Sequence, residues 1–303
     1  MPILGTVASS FDNTVAARGI FAGGLNASQT DNLNTIDYVE IASTGNATDF
    51  GDLAVPRSGV SGCASSTRGI VAGGYRAGYR DTIEYITIAS IGNATNFGNL
   101  TQVAENPAGC SSSTRGLFAG GFNGSAVSNI IDYITIASTG NAIDFGDLTA
   151  IRYAFGSCSS STRGVWGGGG NLGGAVTTVD YVTIASTGNA TSFGSLSQAR
   201  FNAACSNSTR GLFGGGSSSN IIDYITIAST GNATDFGDLT VSRVLLGSCS
   251  SSTRGVWGGG NSGTASNVID YVTIDTTGNA TDFGDLTVSR DYVCGLSNGH
   301  GGL

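Results

Sequence analysis

The chain has 303 residues, 49 of them glycine, and is 40% hydrophobic; its 13 basic residues are all arginine and its formal net charge is −8. That charge argues against a surface for nucleic acid or other phosphates, and no apolar run has the length of a membrane span. The opening Met-Pro-Ile-Leu-Gly-Thr lacks the charged and apolar regions of a signal peptide, so export by the ordinary secretory route is not expected.

Three short phrases return six times along the chain. An Arg-Gly step occurs at Arg18, Arg68, Arg115, Arg163, Arg210 and Arg254. An acid-Tyr pair inside a β-branched run follows at Tyr38, Tyr85, Tyr133, Tyr181, Tyr224 and Tyr271. A Phe-Gly step then falls at Phe50, Phe97, Phe145, Phe193, Phe236 and Phe283, at spacings of 47, 48, 48, 43 and 47 residues. A period in the forties that carries four strand-like runs predicts an all-β fold, a six-bladed β-propeller with four-stranded antiparallel blades. The repeat fills the chain, so a single domain 1–303 is expected, with a leader at 1–17. Its blades fall at about 18–56, 57–104, 105–151, 152–199, 200–242 and 243–289.

Within the second copy the strands a to d read as 58–65, 69–72, 82–88 and 95–100. Glycine and asparagine in the connections supply positive φ at low cost, and the β-branched content of Ile-Glu-Tyr-Ile-Thr-Ile favours strand over helix. Both faces of strand c are apolar, as expected of a blade covered on both sides.

Cysteines Cys63, Cys110, Cys158, Cys205 and Cys249 each stand in a strand a ahead of an Arg-Gly step, whereas Cys294 follows the last strand d and the first copy has Asn13 in that place. The segment 290–298 is therefore predicted to be a displaced strand a that inserts into the first blade and closes the ring, removing exposed sheet edges. Equivalent positions related by rotation do not approach disulfide distance. With no Cys-x-x-Cys and a single histidine, His300, the cysteines read as packing residues, without metal, cofactor or disulfide.

The order of Gly73-Gly74, Glu84-Tyr85 and Phe97, preceded by Pro56-Arg57-Ser58-Gly59, resembles the kelch repeat. It departs from that pattern in having Phe in strand d, with Trp166 and Trp257 in strand b. The longer wording Thr-Ile-Ala-Ser-Thr-Gly-Asn-Ala-Thr-Asp-Phe-Gly-Asp-Leu is similar to repeats in virion structural and tail-appendage proteins of marine bacteriophages of the cyanophage type. That resemblance implies a virion protein made in a host cytoplasm, present in several copies, with other virion proteins or a host-surface glycan or protein as partners.

Several residue sets are candidates for a site. The arginines Arg18, Arg68, Arg115, Arg163, Arg210 and Arg254 form a ring on one face; they read as structural, each paired with a carboxylate such as Asp52, Asp147, Asp238 or Asp285, or as an anion-binding ring. Arg57, Arg152, Arg200, Arg243 and Arg290 form a second set at the entry to strand a and read the same way. The Asn-Ala-Thr sequons at Asn46, Asn93, Asn189, Asn232 and Asn279 read as turn geometry. The loops after Gly-Gly, at 25–34, 75–81, 122–129, 171–178, 217–220 and 261–267, vary most and are expected on the face opposite the arginine ring. Variation on a constant frame marks a binding face. Tyr75, Arg76, Tyr79 and Arg80 are its richest group, with Phe122, Asn123 and Asn171 beside them, suited to stacking on sugars or anchoring a protein.

No catalytic residue is singled out: the acid pairs Asp235/Asp238 and Asp282/Asp285 recur with the repeat, as scaffold residues do, and kelch-like oxidases require copper-ligating histidines. The expected function is a non-enzymatic structural or adhesive propeller of a phage virion that docks to protein or binds a host surface, without nucleic-acid binding or membrane insertion. The alternatives are a lectin-like glycan-binding propeller outside any virion and a glycoside-active enzyme.

Overall fold

The computed structural model describes residues 16–216 and 219–303. These form six four-stranded antiparallel sheets arranged in a ring, with no helix among the described residues. The second blade runs Ser61–Ala64, Arg68–Ala72, Thr82–Thr87 and Thr95–Asn99, each strand paired with the next. The next four blades repeat this order, from Ala108–Ser111 to Thr281–Asp285. The expected leader (1–17) lies outside the described residues except for its last two positions, as do Asn13 and two residues of the 217–220 loop.

The first blade takes its inner strand from the far end of the chain. Cys294–Ser297 pairs with Arg18–Ala22, which pairs in turn with Thr35–Glu40 and Thr48–Asp52. The predicted clasp is present, but its register differs from the expectation. Leu296, rather than Cys294, faces Ile20 and so holds the place that Cys63 holds opposite Ile70. The slip is two residues, so the same faces stay inward.

Two of the repeated phrases are explained by close approach. In each strand d the Phe-Gly step is a β-bulge, one extra residue opposite the acid of strand c. Its glycine has positive φ, +140° at Gly51, and a Cβ there would lie 2.6 Å from the Gly92 carbonyl oxygen of the next blade. The Arg-Gly glycine faces the neighbouring cysteine: a Cβ at Gly116 or Gly164 would stand 2.7 or 2.8 Å from Cys63 or Cys110 Sγ. At Gly69 the same space is filled by Leu296 Cδ1, at 2.7 Å, which confirms the clasp register. Five of the cysteines, Cys63, Cys110, Cys158, Cys205 and Cys249, are thus sulfur knobs over glycine holes. All six are buried free thiols, and burial pushes each well above its ordinary pKa.

The inner strands are tied to one another by the serine that follows the cysteine, or Leu296 in the clasp. Ser111 Oγ donates to Ala64 O (2.7 Å), Ser159 to Ser111 O, Ser206 to Ser159 O, Ser250 to Ser206 O and Ser297 to Ser250 O. Ala64 is the one member without a hydroxyl, and the end of the chain folds back onto it. His300 Nε2 lies 2.8 Å from Ala64 O and 3.2 Å from Ser111 Oγ, while its Nδ1 accepts from Gly302 N at 3.0 Å. A carbonyl only accepts, so His300 is the neutral Nε2–H tautomer. A Cβ on Gly301 or Gly302 would run into the carbonyls of Asn207 and Ser111, which is why the tail that plugs the channel is glycine-rich.

Candidate ligand-binding face

The arginine ring and the strand c–d turns lie on the lower face, and both are spent on joining blades. Each of the six arginines reaches the carbonyl of the isoleucine just after strand c in the next blade: Arg18 to Ile88, Arg68 to Ile136, Arg115 to Ile184, Arg163 to Ile227, Arg210 to Ile274 and Arg254 to Ile41. Each guanidinium also covers the tyrosine of its own blade at 4.4–4.8 Å. The partners expected from sequence, Asp52, Asp147, Asp238 and Asp285, are therefore replaced by a carbonyl and a ring; among the described residues only Arg18 of the six meets a carboxylate, Glu40, at 2.9 Å. The sequon asparagines do similar work. Asn93 Oδ1 accepts from Asp52 N at 3.0 Å, and Asn46 Oδ1 closes the circle by accepting from Asp285 N at 3.1 Å.

The second arginine set is where the carboxylate pairs occur. Arg57 meets Glu84 at 2.8 Å, Arg152 meets Asp180 at 2.5 Å and Arg200 meets Asp223 at 2.9 Å; Arg243 pairs with Asp270 and Arg290 with Asp37. Arg152 and Asp180 are both fully buried. The third blade lacks such a pair: Ala104 stands in the arginine position, and Asp132 takes only Thr101 N and Oγ1, at 2.9 and 2.6 Å. Burial raises the Asp132 carboxyl, and the Thr101 bonds offset this in part.

The upper face is built differently. On five of the blades the residue after the buried arginine position pairs through its backbone with the residue after Gly-Gly: Asp291 with Leu25, Ser58 with Tyr75, Glu105 with Phe122, Tyr153 with Gly170 and Val244 with Asn261. Their side chains are left free to vary. On four consecutive blades they are aromatic, and they join into one arc. Tyr75 packs edge-on against Tyr79 (5.1 Å between centroids), Tyr79 against Phe122 (5.5 Å), Phe122 beside Tyr153 (6.3 Å) and Tyr153 beside Phe201 (5.7 Å). Glycines make room for it. The Tyr79 ring lies against Gly124, and a Cβ at Gly170 would stand 2.5 Å from Phe201 Cε1.

Inside the arc is the mouth of the channel, a cavity of ≈ 110 Å³ lined by Asn106, Pro107, Phe155, Phe201, Asn202 and Tyr292 among others. Its rim holds residues in the left-handed region, Asn106, Ala154 and Tyr292 at φ +52° and Leu245 at +59°, with Gly59 at +62°. Non-glycine residues there cost about 1–2 kcal/mol each. Part of the rim is a relay of peptide hydrogen bonds: Gly59 N to Tyr292 O, Asn106 N to Gly59 O and Ala154 N to Asn106 O, at 3.0, 2.7 and 3.0 Å. The fifth blade's entry is one residue shorter between arginine and cysteine, and there Asn202 meets the cavity. Asn202 is 8% exposed; its Nδ2 donates to Gly167 O and Arg200 O, and its Oδ1 has no partner.

Of the residues singled out from sequence, Tyr75, Tyr79 and Phe122 come together in the arc. Arg76 and Arg80 are exposed beside it, with Arg80 Nη2 on the Arg76 carbonyl at 2.9 Å. Asn123 and Asn171 instead cap their own turns, accepting from Ala126 N and Gly173 N. Sequence reasoning missed Glu105, Tyr153, Phe201, Asn202 and Tyr292, because it looked for variation only after Gly-Gly. The position after the buried arginine varies as freely, reading Ser, Glu, Tyr, Phe, Val and Asp around the ring. No protein-family model matches the chain, and no curated protein sequence matches it either.

Proposed function

We propose that this propeller is a non-enzymatic adhesive module whose upper face grips a partner molecule. One observation carries the reading: the aromatic arc breaks the sixfold pattern of a scaffold that is otherwise uniform. Repeated polar groups elsewhere are consumed by blade-to-blade hydrogen bonds, whereas the arc gathers large, incompletely buried rings where a partner has access. The kelch-like order of the repeat and its similarity to appendage proteins of marine phages support placing the module in a virion, held by other virion proteins and presented to a host-surface glycan or protein.

The test is adhesion of the labelled protein to host envelopes, comparing wild type with the Tyr79→Ala/Phe201→Ala double variant at equal thermal stability. The reading expects adhesion to be lost in the variant; undiminished adhesion overturns it. Mass spectrometry of purified virions, with copy number, tests the placement: several copies beside tail or capsid proteins support it, and absence from the particle refutes it.

A further inference from the structure

The chain has ten tyrosines. Six of them, Tyr38, Tyr85, Tyr133, Tyr181, Tyr224 and Tyr271, each carry one of the chain's own arginines over the ring. The remaining four, Tyr75, Tyr79, Tyr153 and Tyr292, have no such cation among the described residues, and all four are on the upper face. Three belong to the arc or its ends, and Tyr292 lines the mouth inside it.

Glu105 stands among them. Its backbone is fixed by reciprocal hydrogen bonds with Phe122, both 2.8 Å, so its side chain starts beside the middle ring of the arc. The carboxylate then lies over Gly59, where a Cβ would meet Glu105 Cγ at 2.6 Å and Oε1 at 3.2 Å. Among the described residues it joins neither an ion pair nor a side-chain hydrogen bond, although it is half-buried. Asp291, at the same position of the first blade, is covered and takes Gln29 Nε2 and Asn261 Nδ2 at 2.9 and 2.6 Å. Glu105 has no such cover, and burial raises its carboxyl with nothing opposing. Ring faces and an uncompensated carboxylate together complement a cation that also donates hydrogen bonds.

We propose that the upper face binds an arginine side chain of a partner protein, its guanidinium stacked on the tyrosines of the arc and paired with Glu105. This rests on the adhesive reading above and supplies its ligand chemistry. Arginine suits the site better than lysine because its flat fork can stack and donate at once, which this protein already does six times on its lower face. The net charge of −8 draws a basic partner from a distance.

The test uses the full chain and a short peptide of glycine and serine around one arginine, against its citrulline counterpart and a neutral oligosaccharide, followed by NMR titration and calorimetry. The proposal expects the arginine peptide to bind at least roughly tenfold tighter than the citrulline one. It also expects Glu105→Gln to remove most of that difference without moving the melting temperature, and Tyr79→Leu to weaken the arginine peptide alone. Equal binding of arginine and citrulline peptides, or an arginine preference that survives Glu105→Gln, overturns it. If a neutral sugar binds instead and Tyr79→Leu abolishes that, the arc remains a binding face and only the arginine assignment fails. If none of the probes binds, the arginine assignment also fails, and the adhesion assay separately decides the fate of the adhesive reading.

Discussion

The third blade provides an internal control for the energetics of the buried pairs. In the fourth blade, Asp180→Asn leaves Arg152 fully buried, still bonded to Thr178 O at 2.7 Å and Gly168 O at 3.3 Å, with no charge to compensate it. Breaking one side of such a pair costs about 3–5 kcal/mol. In a chain of this size that lowers the melting temperature by roughly 10 °C. Asp132→Asn makes the same chemical change at the equivalent place in a blade whose arginine is Ala104. There it removes an unpaired buried charge and weakens two bonds from Thr101, so the net change stays within about 1 kcal/mol. Thermal and denaturant unfolding of the two variants at neutral pH is the assay. The Asp132 carboxyl is raised in the fold, so ionised Asp132 is a penalty present above its folded pKa and relieved as pH falls through it. Asp132→Asn should accordingly gain on wild type as pH rises. Equal losses in the two blades would refute the reasoning, because stability would then follow the carboxylate's own bonds and not the arginine it neutralises.

Gly164→Ala places a methyl against Cys110 Sγ and should cost about 1–3 kcal/mol; adding Cys110→Ala should recover part of it, which a double-mutant cycle measures. Ala154→Gly relieves a left-handed residue on the rim and should raise stability by about 1 kcal/mol in denaturant unfolding. Leu296→Ala should cost about 2–5 kcal/mol, since that side chain fills the space beside Gly69 and closes the ring. Burial lowers the His300 pKa below its usual 6.5, so the unfolded chain takes up a proton that the folded chain resists. The tail's contribution should be complete above about 6.5 and lost as pH falls below it, and His300→Phe should flatten that part of the stability–pH curve.

The repeat made the blades and the clasp legible, because strand periodicity and turn glycines are local signals. Reading the clasp by its cysteine placed it two residues off. The distance from the buried arginine, six residues both to Cys63 from Arg57 and to Leu296 from Arg290, keeps the correct register. The partners of the lower arginines were misread because a carboxylate is the expected mate for a guanidinium. Folding the blades instead brings a free carbonyl and a tyrosine face to each one, which no linear spacing reveals. The arc was half visible: Tyr75, Tyr79 and Phe122 are in loops that vary openly. Tyr153 and Phe201 sit directly after repeated arginines and look like part of the frame. The backbone pairing of Tyr153 with Gly170 and the packing of Phe201 on Tyr153 put them side by side with the open loops.

The two faces differ in what a substitution must respect. On the lower face a side chain such as Arg68 holds a ring in its own blade and a carbonyl in the next, so changing it disturbs two blades at once. The same is true of Asn93, whose oxygen serves the preceding blade. On the upper face the blades are held at Ser58/Tyr75 and Glu105/Phe122 by main-chain groups, which are indifferent to the side chain they carry. Stability therefore constrains the lower face to repeat and leaves the upper one free to diverge. Departures from the repeat accumulate there without cost to the fold, and a binding surface needs that freedom. A series of substitutions on both faces should sort accordingly, with lower-face changes moving the unfolding midpoint and changes to the exposed side chains of the arc moving adhesion alone.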